Sequence, residues 1–212
     1  LGQILRIGLP AGIQSSMFSV SNVIIQSSIN SFGAMVMAGD SAAVSIEAFI
    51  FVSLDAVNQA SIASVSQNAG AKDPGRVKKA VRYCLLIEFL IGTVMGWIMI
   101  LFGKFLLGIY TSDAQAIESG LIRFAIMGSV FFINGMQHMM GGVMRSIGYS
   151  ILPTIVALVG ICGFRIFWIF TVFAANRTLT VLYLSYPVSW LLTFSVHFIL
   201  YLCLRNRAFA RF

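Results

Sequence analysis

Residues Tyr83–Phe102 read YCLLIEFLIGTVMGWIMILF, twenty consecutive positions that contain a single charged side chain, Glu88. As an α-helix rising about 1.5 Å per residue, such a run covers about 30 Å, the thickness of a bilayer's hydrocarbon core. Comparable apolar runs recur on both sides of it, separated by short polar or basic breaks. Hydrophobic residues make up 58% of the 212 positions and charged residues 10%. Mean hydropathy is +0.92. Soluble domains carry roughly 25% charged residues, so this chain lacks the charge to cover a water-facing surface. The expected fold class is an all-α integral membrane protein, a six-transmembrane-helix bundle.

The spans expected from hydropathy run over about 9–32, 42–67, 83–102, 117–144, 153–174 and 182–204, with a basic loop at 68–82. Pro10 and Pro153 fall near helix starts, where a missing N–H costs little. Gly33 and the Gly39–Asp40 pair separate the first two spans. Gly103–Gln115 is a mixed segment, Ala175–Thr180 a polar turn, and Arg205–Phe212 a basic tail. Leu1–Gly12 lacks the layout of a cleaved signal peptide, and the chain begins abruptly, as a fragment would.

A net charge of +7 would suit a nucleic-acid partner, but the distribution of basic residues fits membrane topology better, and no nucleic acid is expected. One side collects Arg6, Lys72, Arg76, Lys78, Lys79, Arg82, Arg145, Arg205, Arg207 and Arg211; the other holds Lys104, Arg123 and Arg177. The positive-inside rule then places both ends and the basic loop in the cytoplasm of a multi-pass plasma-membrane protein. Cys84, Cys162 and Cys203 lie far apart, with no CxxC pair and no Cys/His cluster, so they are expected as small buried hydrophobes and no metal site is expected.

Polar residues inside the spans argue against a plain anchor. Ser15, Ser19, Asn22, Gln26 and Asn30 recur every three or four positions and form one stripe on a helix. Lipid offers such groups no hydrogen bonds, so the stripe must face other helices or a water-filled cavity. The second span carries Glu47, Asp55, Asn58 and Gln59, and ionisable groups at membrane depth mark functional sites by default. Asp55 and Arg165 are expected at similar depth, either as a buried ion pair or as groups for ion coupling; Glu47 reaches toward the outer interface. Asn134, Gln137 and His138 belong to the fourth span, where His138 either carries a proton or simply hydrogen-bonds a neighbour. His197 has no polar company in the sequence and is expected to pack. Glu88 is expected about one turn from the cytoplasmic side, paired with the basic loop. Catalytic signatures of soluble enzymes are absent: no glycine-rich phosphate loop, no HExxH and no GxSxG. The chain is therefore not expected to be an enzyme or to hold a cofactor.

Several segments together resemble the multidrug and toxic compound extrusion (MATE) family, specifically its C-terminal six-helix half. Ile7–Gly8–Leu9–Pro10 is similar to the start of that family's seventh helix. Gln67–Asn68–Ala69–Gly70–Ala71–Lys72 followed by Arg76 resembles its QNxGA(K)…R loop, the most specific match. Gly142–Val143–Met144–Arg145–Ser146–Ile147–Gly148 with Pro153 is similar to a G-x-x-R-G-x-G…P segment, with Ser146 in place of the usual glycine. Tyr186–Pro187 with Ser189–Trp190 resembles the last-helix signature. The order holds over nearly the whole chain.

The resemblance implies one lobe of a twelve-helix MATE-type transporter, with the N-terminal lobe of the same polypeptide as its partner. It also implies export of cationic or amphipathic small molecules by alternating access, in exchange for H+ or Na+, with binding near the midplane. In the NorM-like branch, an acid on helix seven and one on helix ten are implicated in cation binding; the matching positions here are Phe18 and Asn134, neither ionisable. Coupling would then use an acid of the other lobe, as in the DinF-like branch, or Glu47 and Asp55. The residues expected to line the cavity are Asn22, Gln26, Asn30, Asp55, Asn58, Gln59, Asn134, Gln137 and His138. Two other readings fit the residues. One is a lipid-linked saccharide flippase, for which Arg165 is the only basic residue well inside the bundle; the other is a non-transporting structural membrane subunit.

Overall fold

The computed structural model describes the backbone over residues 2–210 and the side chains at position 12 and over 16–210. Ser15 of the polar stripe, the Ile7–Pro10 segment, Arg6 and Arg211 have side chains outside that description.

The described residues build a helical bundle. Its elements are α1 (Gly2–Asn30), α2 (Ala34–Gly70), α3 (Pro74–Leu101), the short α4 (Gly103–Gly108), α5 (Ala114–Gly128), α6 (Phe131–Ser146), α7 (Ile151–Ala157), α8 (Phe164–Trp168) and α9 (Leu179–Phe209). Leu158–Gly163 and Ile169–Phe173 are π-helical, so residues 151–173 form one continuous rod. Among the described residues four helices are long and apolar enough to cross a membrane, and the α5–α6 pair, bent by 53° at its break, passes the same test when counted as one broken span. With α1, 29 residues long, the bundle has six rods. Their outer faces carry large apolar side chains such as Phe49, Leu101, Phe105, Phe167 and Phe170, as a lipid-facing surface requires.

The helices are longer than hydropathy alone predicts. α2 starts at Ala34, eight positions before the expected 42, because the break falls at Gly33, whose φ of 100° suits only glycine, while Gly39 and Asp40 are helical. Gly39 is buried where α2 meets α5: a Cβ there would collide with the Ala116 carbonyl. The expected basic loop at 68–82 is a tight turn. Lys72 takes a left-handed φ of 56°, Asp73 accepts a hydrogen bond from the Arg76 N–H at 2.9 Å, and Pro74 opens α3. Arg76, Lys78, Lys79 and Arg82 thus lie on the first turns of α3. The basic tail is likewise helical through Phe209. The expected single span at 117–144 is two helices, because Ser129–Val130 interrupts it.

Small residues set the close approaches, as membrane helices without a hydrophobic drive between them require. Gly96 of α3 lies against the Gly128 backbone at the end of α5, Gly92 against the Phe132 backbone, and Gly160 against Thr193 of α9. Two apolar cores result. One surrounds Ile25, Phe124, Met127 and Tyr183; the other surrounds Val65, Val77, Met140, Met144 and Tyr201 at the end of the α2–α3 turn.

Candidate functional site

A cavity of about 530 Å³ opens among α1, α2, the α5–α6 pair, the 151–173 rod and α9. Aromatic side chains supply much of its wall: Phe18, Phe51, Phe131, Tyr186 and Trp190. Its polar groups are few: Asn22, Glu47, Arg123, Asn134, Gln137, His138 and Arg165. An apolar surface with a few placed polar groups is the usual make-up of a small-molecule site.

Two arginines of this wall approach the Tyr186 ring. Arg123 of α5 donates from Nε and Nη2 to both carboxylate oxygens of Glu47, at 2.8 and 2.7 Å, and from Nη1 to Asp40 Oδ1 at 2.8 Å. The Tyr183 hydroxyl donates to the same Asp40 oxygen at 2.9 Å. This cluster is buried, and its two acids lie two turns apart on α2. Such a cluster is destroyed by losing one member, because a charge is then left without a partner. Arg165 differs. It is 5% exposed, donates from Nε to Ser189 Oγ at 3.0 Å, and stacks on Tyr186 with 4.1 Å from its guanidinium carbon to the ring centre. Among the described residues no carboxylate pairs with it. Cation–π contact and one hydroxyl hold this guanidinium at the cavity wall.

Further along α2 lies a second polar group. Asn58 Nδ2 donates to Asp55 Oδ1 at 3.2 Å and lies 3.3 Å from His138 Nδ1, which is itself 3.9 Å from Asp55 Oδ1. A pocket of about 10 Å³, lined by Asp55, Asn134, Gly135, His138, Phe51 and Leu54, adjoins the main cavity here.

The sequence-derived residues therefore separate. Asn22, Glu47, Asn134, Gln137, His138 and Arg165 line the main cavity, and Asp55 lines the small pocket. Asn58 is buried beside Asp55. Gln26 and Asn30 are exposed and bond each other, Gln26 Nε2 donating to Asn30 Oδ1 at 3.1 Å; Gln59 is exposed outside both. The expected Asp55–Arg165 pair does not form: their side chains have separate partners, although both belong to the same cavity region. Glu47 is an interior ion-pair member rather than an interfacial acid. Glu88 does not meet the basic turn. It lies in the middle of α3, fully buried, with neither carboxylate oxygen hydrogen-bonded. His197 has polar company after all, since its Nε2 donates to the Pro153 carbonyl at 3.2 Å. Asp40, Arg123, Tyr183 and Tyr186 went unselected by sequence reasoning; an acid seven positions before Glu47 on the same helix face was the available signal for Asp40.

Comparison with known proteins places this geometry. Residues 10–171 match the MatE family model. The probable multidrug resistance protein NorM of Thermotoga maritima is 26% identical over 164 residues, 77% of this chain and 35% of that protein. The probable multidrug resistance protein YoeA of Bacillus subtilis is 21% identical over 165 residues, again 77% and 35%. Among solved structures, the Vibrio cholerae MATE transporter VcmN in its bent form superposes with a TM-score of 0.87 at 16% identity, covering 97% of this chain and 47% of that one. A MOP superfamily transporter from Pyrococcus furiosus, described as having a binding pocket of reversed polarity, gives 0.83 at 16%, covering 93% and 43%. The solved structures speak for the fold. The chain spans about a third of the length of the curated relatives it matches.

Proposed function

The chain belongs to the MatE family, and on that premise we propose that it forms one six-helix lobe of a secondary active transporter that exports drugs or amphipathic metabolites. The exchange ion is H+ or Na+, the setting the plasma membrane, and both ends of the chain are cytoplasmic. The observation that carries this reading is the 530 Å³ cavity, walled by aromatic rings and a small set of polar groups. Rings of Phe, Tyr and Trp take flat amphipathic molecules of varied shape, and the amides of Asn22, Asn134 and Gln137 orient them. Six helices with a polar wall on one side support alternating access between two lobes. The exposed polar groups of α1, Asn22, Gln26 and Asn30, would then face the second lobe, because lipid cannot satisfy them.

The test uses the full-length protein in proteoliposomes, with an imposed H+ or Na+ gradient and a fluorescent amphipathic cation as reporter. Gradient-dependent movement of the dye, abolished by an ionophore, is expected. Absence of movement under either gradient, together with full protection of Asn22→Cys and Gln26→Cys from aqueous thiol reagents on both sides, would leave a structural subunit as the better account.

A second reading has its own observation. Arg165 lines the cavity without a carboxylate partner, and a buried guanidinium is well suited to a phosphate or carboxylate. A lipid-linked saccharide would supply that anion. Inhibition of dye export by a polyprenyl diphosphate, lost in Arg165→Gln, would favour the flippase.

A further inference from the structure

Glu88 is the one fully buried carboxylate among the described residues that has no partner. Its exposure is 0%, and both Oε atoms lack a hydrogen-bond donor. It sits about four turns into α3, in the middle of the helix, and its carboxyl packs directly on Gly135 of α6, where a Cβ would collide with Oε2. Leu54 of α2 packs on the same spot. An ionised carboxylate in such a dry, donor-free place costs many kcal/mol, so the group is held neutral. Sodium is a poor alternative occupant, because a hard cation needs a shell of several oxygen ligands. Among the described residues no group of three potential metal ligands forms.

The surroundings give the proton a way out. Gly135 also lines the small pocket, whose other walls include Asp55, Asn134 and His138, and whose volume of about 10 Å³ is roughly that of one water. Asp55 and His138 side chains are 40% and 43% exposed, and Gly135 with Leu54, packed on the Glu88 carboxyl, forms the wall between it and the pocket. Each element around Glu88 carries its own polar or titratable groups. From α2 comes Asp55 with its Asn58 partner. From α6 come Asn134 and His138, with Arg145 two turns further along. On α5, Arg123 is taken up by Asp40 and Glu47. Lys104 of α4 lies beyond the far end of α3, and Cys84 lies one turn earlier on α3 itself.

We propose that Glu88, Asp55 and His138 form a proton-binding site within this lobe, with Glu88 as the proton-holding group and the small pocket as its route to the cavity. The proposal rests on the transporter reading and names its coupling ion as H+, bound in this lobe. In the step itself, α6 shifts at Gly135 to open Glu88 to the pocket, the Glu88 O–H bond breaks, and the proton passes through a water there to the Asp55 carboxylate or the His138 imidazole. The charge left on Glu88 is tolerated only while the pocket is open to the cavity, which ties proton release to the rearrangement of α6 against α3.

Infrared difference spectroscopy of the full-length protein, titrated with pH in lipid and without substrate, tests the site independently of transport. A carbonyl stretch of a protonated carboxyl that titrates in the wild type and is missing in Glu88→Gln is expected, with the stretch restored by Glu88→Asp. A wild-type protein showing no such band at any pH overturns the proposal without recourse to a variant. So does a band unchanged in Glu88→Gln. In proteoliposomes, Glu88→Gln is expected to lose transport driven by a pH gradient while keeping substrate binding and substrate–substrate exchange. Wild-type rates under a pH gradient in that variant overturn the proposal and leave the transporter reading intact. A wild type that moves no substrate under any gradient sinks the transporter reading, and the spectroscopic titration still decides whether Glu88 holds a proton.

Discussion

Asp40 and Glu47 lie two turns apart on α2, and Asp55 lies about two turns further along the same helix, lining a small pocket whose wall residues Gly135 and Leu54 also touch Glu88 of α3. The first pair is well supplied with donors: three guanidinium bonds and a tyrosine hydroxyl meet three of its four carboxylate oxygens. The second pair has an asparagine amide and a histidine near Asp55 and no donor at Glu88. Identical chemical groups at membrane depth thus have opposite roles. With Arg123, two carboxylates become a fixed strut that joins α2, α5 and α9. Without an arginine, they remain free to exchange protons. What separates strut from relay is a single cation on α5, positioned by the end of that helix just before the bend.

Removing that cation should give the largest effect. Arg123→Met leaves two buried carboxylates unpaired, and a loss of about 3–5 kcal/mol in stability is expected, read as a fall in the detergent unfolding transition of the full-length protein. The comparison sharpens when all three charges go together: Arg123→Met with Asp40→Asn and Glu47→Gln should recover most of that loss, since buried ion clusters offset their desolvation only partly. A triple variant as unstable as Arg123→Met would mean that the strut contributes net stability rather than rigidity alone.

Next comes the tyrosine of the strut. Tyr183→Phe removes one donor from a buried carboxylate oxygen and keeps the ring, so about 1.5–3 kcal/mol should be lost, by the same measurement. The corresponding change at the relay goes through shape rather than charge. Gly135→Ala drives a Cβ into the Glu88 carboxyl and close to Leu54, and overpacking of this kind costs roughly 1–3 kcal/mol. Glu88→Ala in the same protein should relieve it, so the pair should couple in a double-mutant cycle. Additive effects would show that Gly135 and Glu88 do not share the space the structure gives them.

Why the strut escaped sequence reasoning and the spans did not is a matter of which coordinate a sequence carries. Hydropathy reports height along the membrane normal, so the runs at 83–102 and 182–204 were legible as spans. It says little about azimuth, which decides partners. Hydropathy puts Asp55 and Arg165 at a similar depth, yet Arg165 belongs to a rod with π-helical stretches on both sides of its turn, and each inserted residue rotates the register by about 100°. Height itself fails where charges sit inside helices. Counting from Tyr83 puts Glu88 near a helix end; α3 starts nine residues earlier, so Glu88 falls in the middle of the helix, packed between α2 and α6. Asp40 looked like part of a break because it is charged, whereas Arg123 across the interface keeps it helical. The motifs near 67–76 and 142–153 were readable because they are turn chemistry, local by nature: Lys72 and Gly148 both take positive φ.

The smallest effect belongs to an ion pair that has neither burial nor a network. Arg76 and Asp73 approach to 3.4 Å at the start of α3, with side chains 76% and 43% exposed. Water and salt screen such a pair, and Arg76→Ala should change stability by about 0–1 kcal/mol. Asp73→Ala should cost more, on the order of 1 kcal/mol, because it also removes the cap on the Arg76 N–H. If the Arg76→Ala loss instead matched that of Arg123→Met, pairing alone would set the energy wherever the pair sits. The contrast between strut and relay would then have nothing to do with the dry interior that surrounds them both.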